Sequence, residues 1–132
     1  ANCGIGAPDL LATINDISKN VDPGTVVISK ANCGVPEFVD GSIVYSGTEE
    51  LMAHYVKIAM NSGAKIIGGC CGTSFDHVRA MRKAMDTHVV TSAPTLEEIE
   101  EKVGVMSEGS RSIFKGDDSK PTKQRRSRRS RA

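Results

Sequence analysis

Tryptophan is absent from these 132 residues, tyrosine occurs twice and phenylalanine three times. Any core must therefore rest on Val, Ile, Leu and Met. No apolar run approaches the ~20 residues that a membrane span needs. Acidic side chains are missing from Ser119 onward. The first residue is Ala rather than Met, and a chemistry-bearing cysteine stands only three residues from the start. A terminus so close to it would hold it poorly, so the chain reads as the C-terminal piece of something longer. At this length it amounts to one domain or less.

The net charge of +1 conceals two unlike halves. Seven of the 17 basic residues lie between Lys120 and Arg131, whereas all 16 acids precede Ser119. Residues 1–119 thus carry ten basic against 16 acidic side chains, a formal −6. An acidic body is followed by a basic tail. Such a run can contact phosphates, but it has no interleaved aromatic and no recognition motif. A solvated extension is the simpler reading. The four cysteines lack the dense spacing of a secreted scaffold, which favours a reducing cytoplasm and thiol chemistry over disulfides.

The organising stretch is Lys65-Ile66-Ile67-Gly68-Gly69-Cys70-Cys71-Gly72-Thr73. It reads as a short buried strand running into glycines and two adjacent cysteines. Neighbours on a regular strand point to opposite faces, so Cys70 and Cys71 converge only if the backbone departs from the strand. The surrounding glycines permit that. Two thiols aimed at one point suit a soft metal such as zinc, which needs further ligands. Cys3 is the first candidate. Three other readings compete: buried small hydrophobes, a redox dithiol, and a structural zinc site with Cys33 as fourth ligand.

Around this stretch the chain alternates. Pro8 and Asp9 open a helix whose Leu10, Leu11, Ile14 and Ile17 share one face until Asn20. After the Asp22-Pro23-Gly24 turn, the β-branched run 25–30 forms a strand. A loop through Pro36 and Gly41 follows. A second helix, capped by Ser46 or Thr48, buries Leu51, Met52, Tyr55, Val56, Ala59 and Met60 and ends at Gly63. A third starts near Thr73-Ser74, turns Val78, Met81, Ala84 and Met85 inward and fades by Thr87. A Thr95/Glu98 capping box begins a short extension over 91–106, and residues 107–132 read as a disordered basic tail. Alternating helices and strands with short links predict βα units on a parallel sheet. The cysteines follow the strands, where such folds gather functional groups.

Asn2-Cys3-Gly4, followed one βαβα stretch later by Gly68-Gly69-Cys70-Cys71-Gly72-Thr73, resembles the zinc-dependent homocysteine S-methyltransferase family. Its members include the homocysteine module of cobalamin-dependent methionine synthase and betaine–homocysteine methyltransferase. The resemblance runs from Ala1 to about Thr87. It implies an α/β chain forming the C-terminal part of a (β/α)8 TIM barrel, a fold of about 250 residues. Residues 1–90 would then span the end of strand six to helix eight. Cys3 would end the sixth strand, residues 25–31 would form the seventh and residues 65–69 the eighth.

The resemblance further implies that Cys3, Cys70 and Cys71 hold one Zn2+ as thiolates, with a fourth place left for the sulfur of homocysteine. That sulfur would take a methyl group from betaine, S-methylmethionine, or methylcobalamin on a corrinoid protein, giving methionine. Asn2 and Asn32, each just before a strand-end cysteine, would bind substrate or fix the loops. His77 falls where family members often have histidine, for packing or for support of the site. Cys33 replaces a small residue common in the family, and we expect it not to ligate the metal. The contrasting expectation is a non-catalytic zinc- or thiol-binding fragment with a nucleic-acid-associating tail. On either view the isolated piece is expected to be inactive.

Overall fold

The computed structural model describes residues 1–4 and 6–117. In chain order the elements are β1 (Asn2–Cys3), α1 (Ala7–Asn20), β2 (Ile28–Ala31), β3 (Pro36–Val39), β4 (Ser42–Tyr45), α2 (Glu49–Asn61), β5 (Ile66–Gly69), α3 (Phe75–Thr87), α4 (Leu96–Lys102) and α5 (Glu108–Lys115). β1, β2 and β5 form a parallel sheet in that order, pairing Cys3 with Ala31, and Ala31 with Gly69. The fold is mixed α/β, and its described strands do not close into a barrel. No described helix is long and apolar enough to cross a membrane.

The sheet is covered on one face only. Ser29 and Ala31 of β2 are buried, whereas Ile28 and Lys30 between them are exposed. Register puts Ile66 beside Ile28, and it too is exposed. On the covered side α1 and α2 supply Leu11, Ile14, Met52, Tyr55 and Ile58, all essentially without solvent contact. The Tyr55 hydroxyl meets the Ser29 hydroxyl at 2.5 Å. Burial pushes this phenol up to about 12, though the Ser29 hydrogen bond pulls the other way.

The expected helices form, with different details at their ends. Thr48 rather than Ser46 caps α2, accepting the Leu51 N–H at 3.1 Å, and Thr95 caps α4 through the Glu98 N–H at 3.1 Å. In α3, Met81 and Ala84 are buried, but Val78 is 51% exposed. Its expected inward role fails because β5 is the last strand of the sheet, and Val78 borders a groove along that open edge.

Two segments differ from expectation. The loop through Pro36 and Gly41 is an antiparallel hairpin, β3 with β4, turning on Asp40 (φ 48°) and Gly41 (φ 81°). Positive φ at both turn residues matches the right-handed strand twist. Residues 107–117, assigned to the disordered tail, instead contain α5. Its cap, Ser107, donates from both hydroxyl and N–H to the Asp9 carboxylate of α1 (2.5 and 3.1 Å). Arg111 is bound to Glu100, and Lys19 stands 5.9 Å from the Phe114 ring centre. Composition hid this helix because its partners are remote in sequence. The basic run 120–131 lies outside the described residues.

Candidate metal centre

Three parallel strand ends lie side by side, and each delivers part of the site. Cys3 ends β1 in a left-handed conformation, φ 65°, which is unfavourable for a residue with a Cβ. A second backbone departure follows β5. The strand stops at Gly69, and residues 70–73 make a tight turn closed by the Thr73 N–H on the Cys70 carbonyl (3.2 Å). Gly72 is its third residue, with φ 75°, as such a turn requires. The turn frees the two sulfurs from strand alternation: Cys70 and Cys71 Sγ stand 3.9 Å apart. With Cys3 Sγ they form a group whose members all lie within 4.8 Å of one another.

Asn32 anchors the Cys3 side. Its amide donates from Nδ2 to the Gly4 carbonyl at 2.8 Å, while Oδ1 accepts from the Cys3 thiol at 3.3 Å. The side chain is buried and both ends are engaged, so its observed duty is to hold the loop. Asn2 is exposed on β1 and joins the sheet beside Lys30. Cys33 is fully buried and is not in the three-sulfur group. Burial pushes its thiol up.

The three sulfurs differ electrostatically. Hydrogen bonding from Cys70 and the Gly4 backbone holds the Cys3 thiol below its ordinary range, with smaller help from Cys71 and Asn32 and against the cost of burial. Burial raises Cys70, and the Cys71 and Cys3 sulfurs push the same way. Crowded thiols cannot all ionise without a cation between them.

Zinc–sulfur bonds of about 2.3 Å at tetrahedral angles place sulfurs about 3.8 Å apart. The Cys70–Cys71 separation of 3.9 Å already meets that spacing. Among the described residues no fourth His, Cys, Asp or Glu joins the group.

Two neighbours were not singled out from the sequence. Tyr45, at the end of β4, lays its ring over Gly72: a Cβ there would stand 2.3 Å from the ring. Its phenol is pushed up by hydrogen bonding with Cys71, by burial, and by the charges of the three sulfurs. Gly47 packs directly on Cys33. Asp40-Gly41, flanked by apolar residues, is the hairpin signal that would have placed Tyr45. His54 pairs with Glu50 at 3.6 Å, and His88 meets Asn61 at 2.9 Å, both away from the sulfurs.

The sheet belongs to a parallel α/β chain whose first and third strands, β1 and β5, bring three thiols together at one end, a group able to hold a metal ion. More specifically, residues 1–85 match the sequence model of the homocysteine S-methyltransferases. The chain belongs to that family, and the match contains the whole three-sulfur group.

Proposed function

We propose that the protein is a zinc-dependent homocysteine S-methyltransferase, and that Cys3, Cys70 and Cys71 are its metal ligands. The observation that carries this is the meeting of three sulfurs, 67 positions apart in sequence between Cys3 and Cys70, within 4.8 Å of one another. Family membership supplies the reaction class. Zinc held by these thiolates would supply the positive charge that strips the proton from an incoming thiol at neutral pH.

This chain's own residues have narrower tasks. Asn32 fixes Cys3 and Gly4, and the 70–73 turn presents Cys71 at the surface. Substrate approaches from that exposed side. Homocysteine's thiol proton passes to solvent water, its sulfur lone pair forms the new S–CH3 bond, and the electron pair of the broken bond to that methyl leaves with the donor. Betaine, S-methylmethionine and methylcobalamin on a corrinoid protein all fit this half of the site. Asn2 is exposed beside Cys3, and we assign it to substrate contact.

The same geometry supports the barrel reading. Three consecutive parallel strands covered by helices on one face, with Ile28 and Ile66 bare on the other, match a segment of a (β/α)8 wall whose lumen side is bare here. Residues 1–90 form that segment. All four cysteines are free, in keeping with a cytoplasmic setting.

Zinc content and the metal's ligand set, measured by X-ray absorption with and without homocysteine, test the assignment. One zinc per chain and a gained sulfur ligand on adding homocysteine are expected. With the rest of the barrel present, Cys70→Ser and Cys71→Ser should each lose both the metal and methyl transfer. Full activity in either variant would overturn the ligand assignment.

A further inference from the structure

His77 occupies the first turn of α3 and reaches in two directions. The Ser74 backbone N–H donates to its Nδ1 at 3.0 Å. That bond makes Nδ1 an acceptor, so the proton of the neutral ring resides on Nε2. Nε2 faces the Gly47 carbonyl at 3.3 Å. The Gly47 N–H in turn donates to the Cys33 carbonyl (3.1 Å), and the Cys33 N–H donates to the Cys71 carbonyl (2.9 Å). Three bonds therefore link the imidazole to the Cys71 peptide by way of the Gly47 and Cys33 backbones. The middle of this path is rigid. A Cβ on Gly47 would lie 2.5 Å from the Cys33 carbonyl carbon and 2.6 Å from its sulfur, and Cys33 is fully buried. Cys71 itself is exposed on a four-residue turn, so its place depends on backbone tethers such as this one.

We infer that His77 is a positioning residue for the three-sulfur group, holding the Cys71 peptide in place through Gly47 and Cys33. The inference rests on the reading that these sulfurs bind zinc. It assigns Cys33 a backbone duty, which explains how a cysteine so near the group remains outside it.

A cap-only role for His77 predicts something different, and two substitutions separate the roles. His77→Asn puts an amide oxygen near the Nδ1 position, keeping the Ser74 bond and losing the reach to Gly47. His77→Gln puts an amide N–H near the Nε2 position, keeping Gly47, while its amide oxygen can take the Ser74 N–H as Gln does at this helix position, so the two variants differ in the reach to Gly47. Zinc affinity is read by competition with a chromophoric chelator. Cobalt(II) substitution adds the thiolate charge-transfer band as a second readout. Amide exchange at Gly47 and Cys33 is followed on the metal-free protein. His77→Asn should weaken zinc binding on the order of tenfold, the lower end for groups that support ligands indirectly. It should also speed exchange at both amides. His77→Gln should restore affinity and protection towards wild type.

If wild type holds zinc and His77→Asn holds it equally well, the inference falls. If wild type holds no zinc, the metal reading falls, and the amide data still decide the tether: unchanged exchange in His77→Asn overturns it, faster exchange with rescue by Gln upholds it.

Discussion

At Gly47 the chain passes so close to Cys33 that a single methyl group has no room. The nearest atoms to an added Cβ are backbone and sulfur at 2.5 to 2.7 Å, not the yielding tip of a long side chain. Gly47→Ala must therefore shift the Cys33 peptide, and with it the N–H that holds Cys71. We expect a loss of about 1–3 kcal/mol, typical of an overpacked site, in chemical denaturation. Zinc affinity should fall in parallel. Unchanged affinity in a folded Gly47→Ala protein would show that the Cys33 contact does not matter to the site. The sequence marked the glycines beside Cys70 and Cys71 because they share a short stretch with the thiols. Gly47 carried no such signal, because it acts on Cys33, a residue brought near only by folding; the resemblance marked Asn32 for substrate or loop, and only the fold shows that its partners are Cys3 and Gly4.

The elements built on local periodicity were the legible ones. α1, α2 and α3 show apolar residues at helical spacing; β5 opens on two isoleucines, and β2 takes only the end of the β-branched run, Ile28–Ala31 where 25–30 was expected. The β3–β4 hairpin was obscured by Pro36 at the start of β3 and by strands of only four residues, although Asp40-Gly41 announced the turn. α5 was illegible for another reason. None of its residues is buried, and it is held by groups such as Asp9, 98 positions away from Ser107.

That anchor makes α5 sensitive to acid. Burial would raise the Asp9 carboxyl, but hydrogen bonds from the Ser107 and Ser110 hydroxyls and the Ser107 N–H outweigh it and hold the group below its ordinary range. With the folded value depressed, the unfolded chain binds more protons at mildly acidic pH. The stabilisation is thus whole above the ordinary carboxylate value of about 3.9 and disappears as pH falls through the lower value in the fold. Amide protection at Ser107 and along α5 should drop across that window ahead of α2, and Asp9→Asn should remove this step. Ser107→Ala, which deletes the cap and the contact together, should loosen α5 by about 1 kcal/mol at neutral pH. Parallel loss of protection in α2 and α5 on acidification would instead assign the step to global unfolding.

On the scale of the whole molecule, the bare face of the sheet governs behaviour. Ile28 and Ile66 sit next to each other on it at 42% and 52% exposure, and Val78 adds a third apolar group along the open edge of β5. A two-residue β1 closes the other side weakly, with unpaired backbone groups beyond it. The helix-covered face, by contrast, is filled by the buried core. These 132 residues expressed alone should therefore fold around α1, α2 and α4 yet expose an adhesive sheet. We expect dye binding typical of exposed apolar surface, concentration-dependent association, and a broad melt. Cys3 should be the first ligand to let go, because the short β1 holds it. Zinc would then be retained weakly by the Cys70–Cys71 turn, and no methyl transfer would be seen. Supplying the rest of a barrel wall should cover Ile28 and Ile66, sharpen the melt, and tighten zinc at the same time, since the same strand end carries Cys3. A sharp melt, a monomer at high concentration and turnover by the 132 residues alone would mean that the bare face needs no cover, and the barrel reading would have to be abandoned.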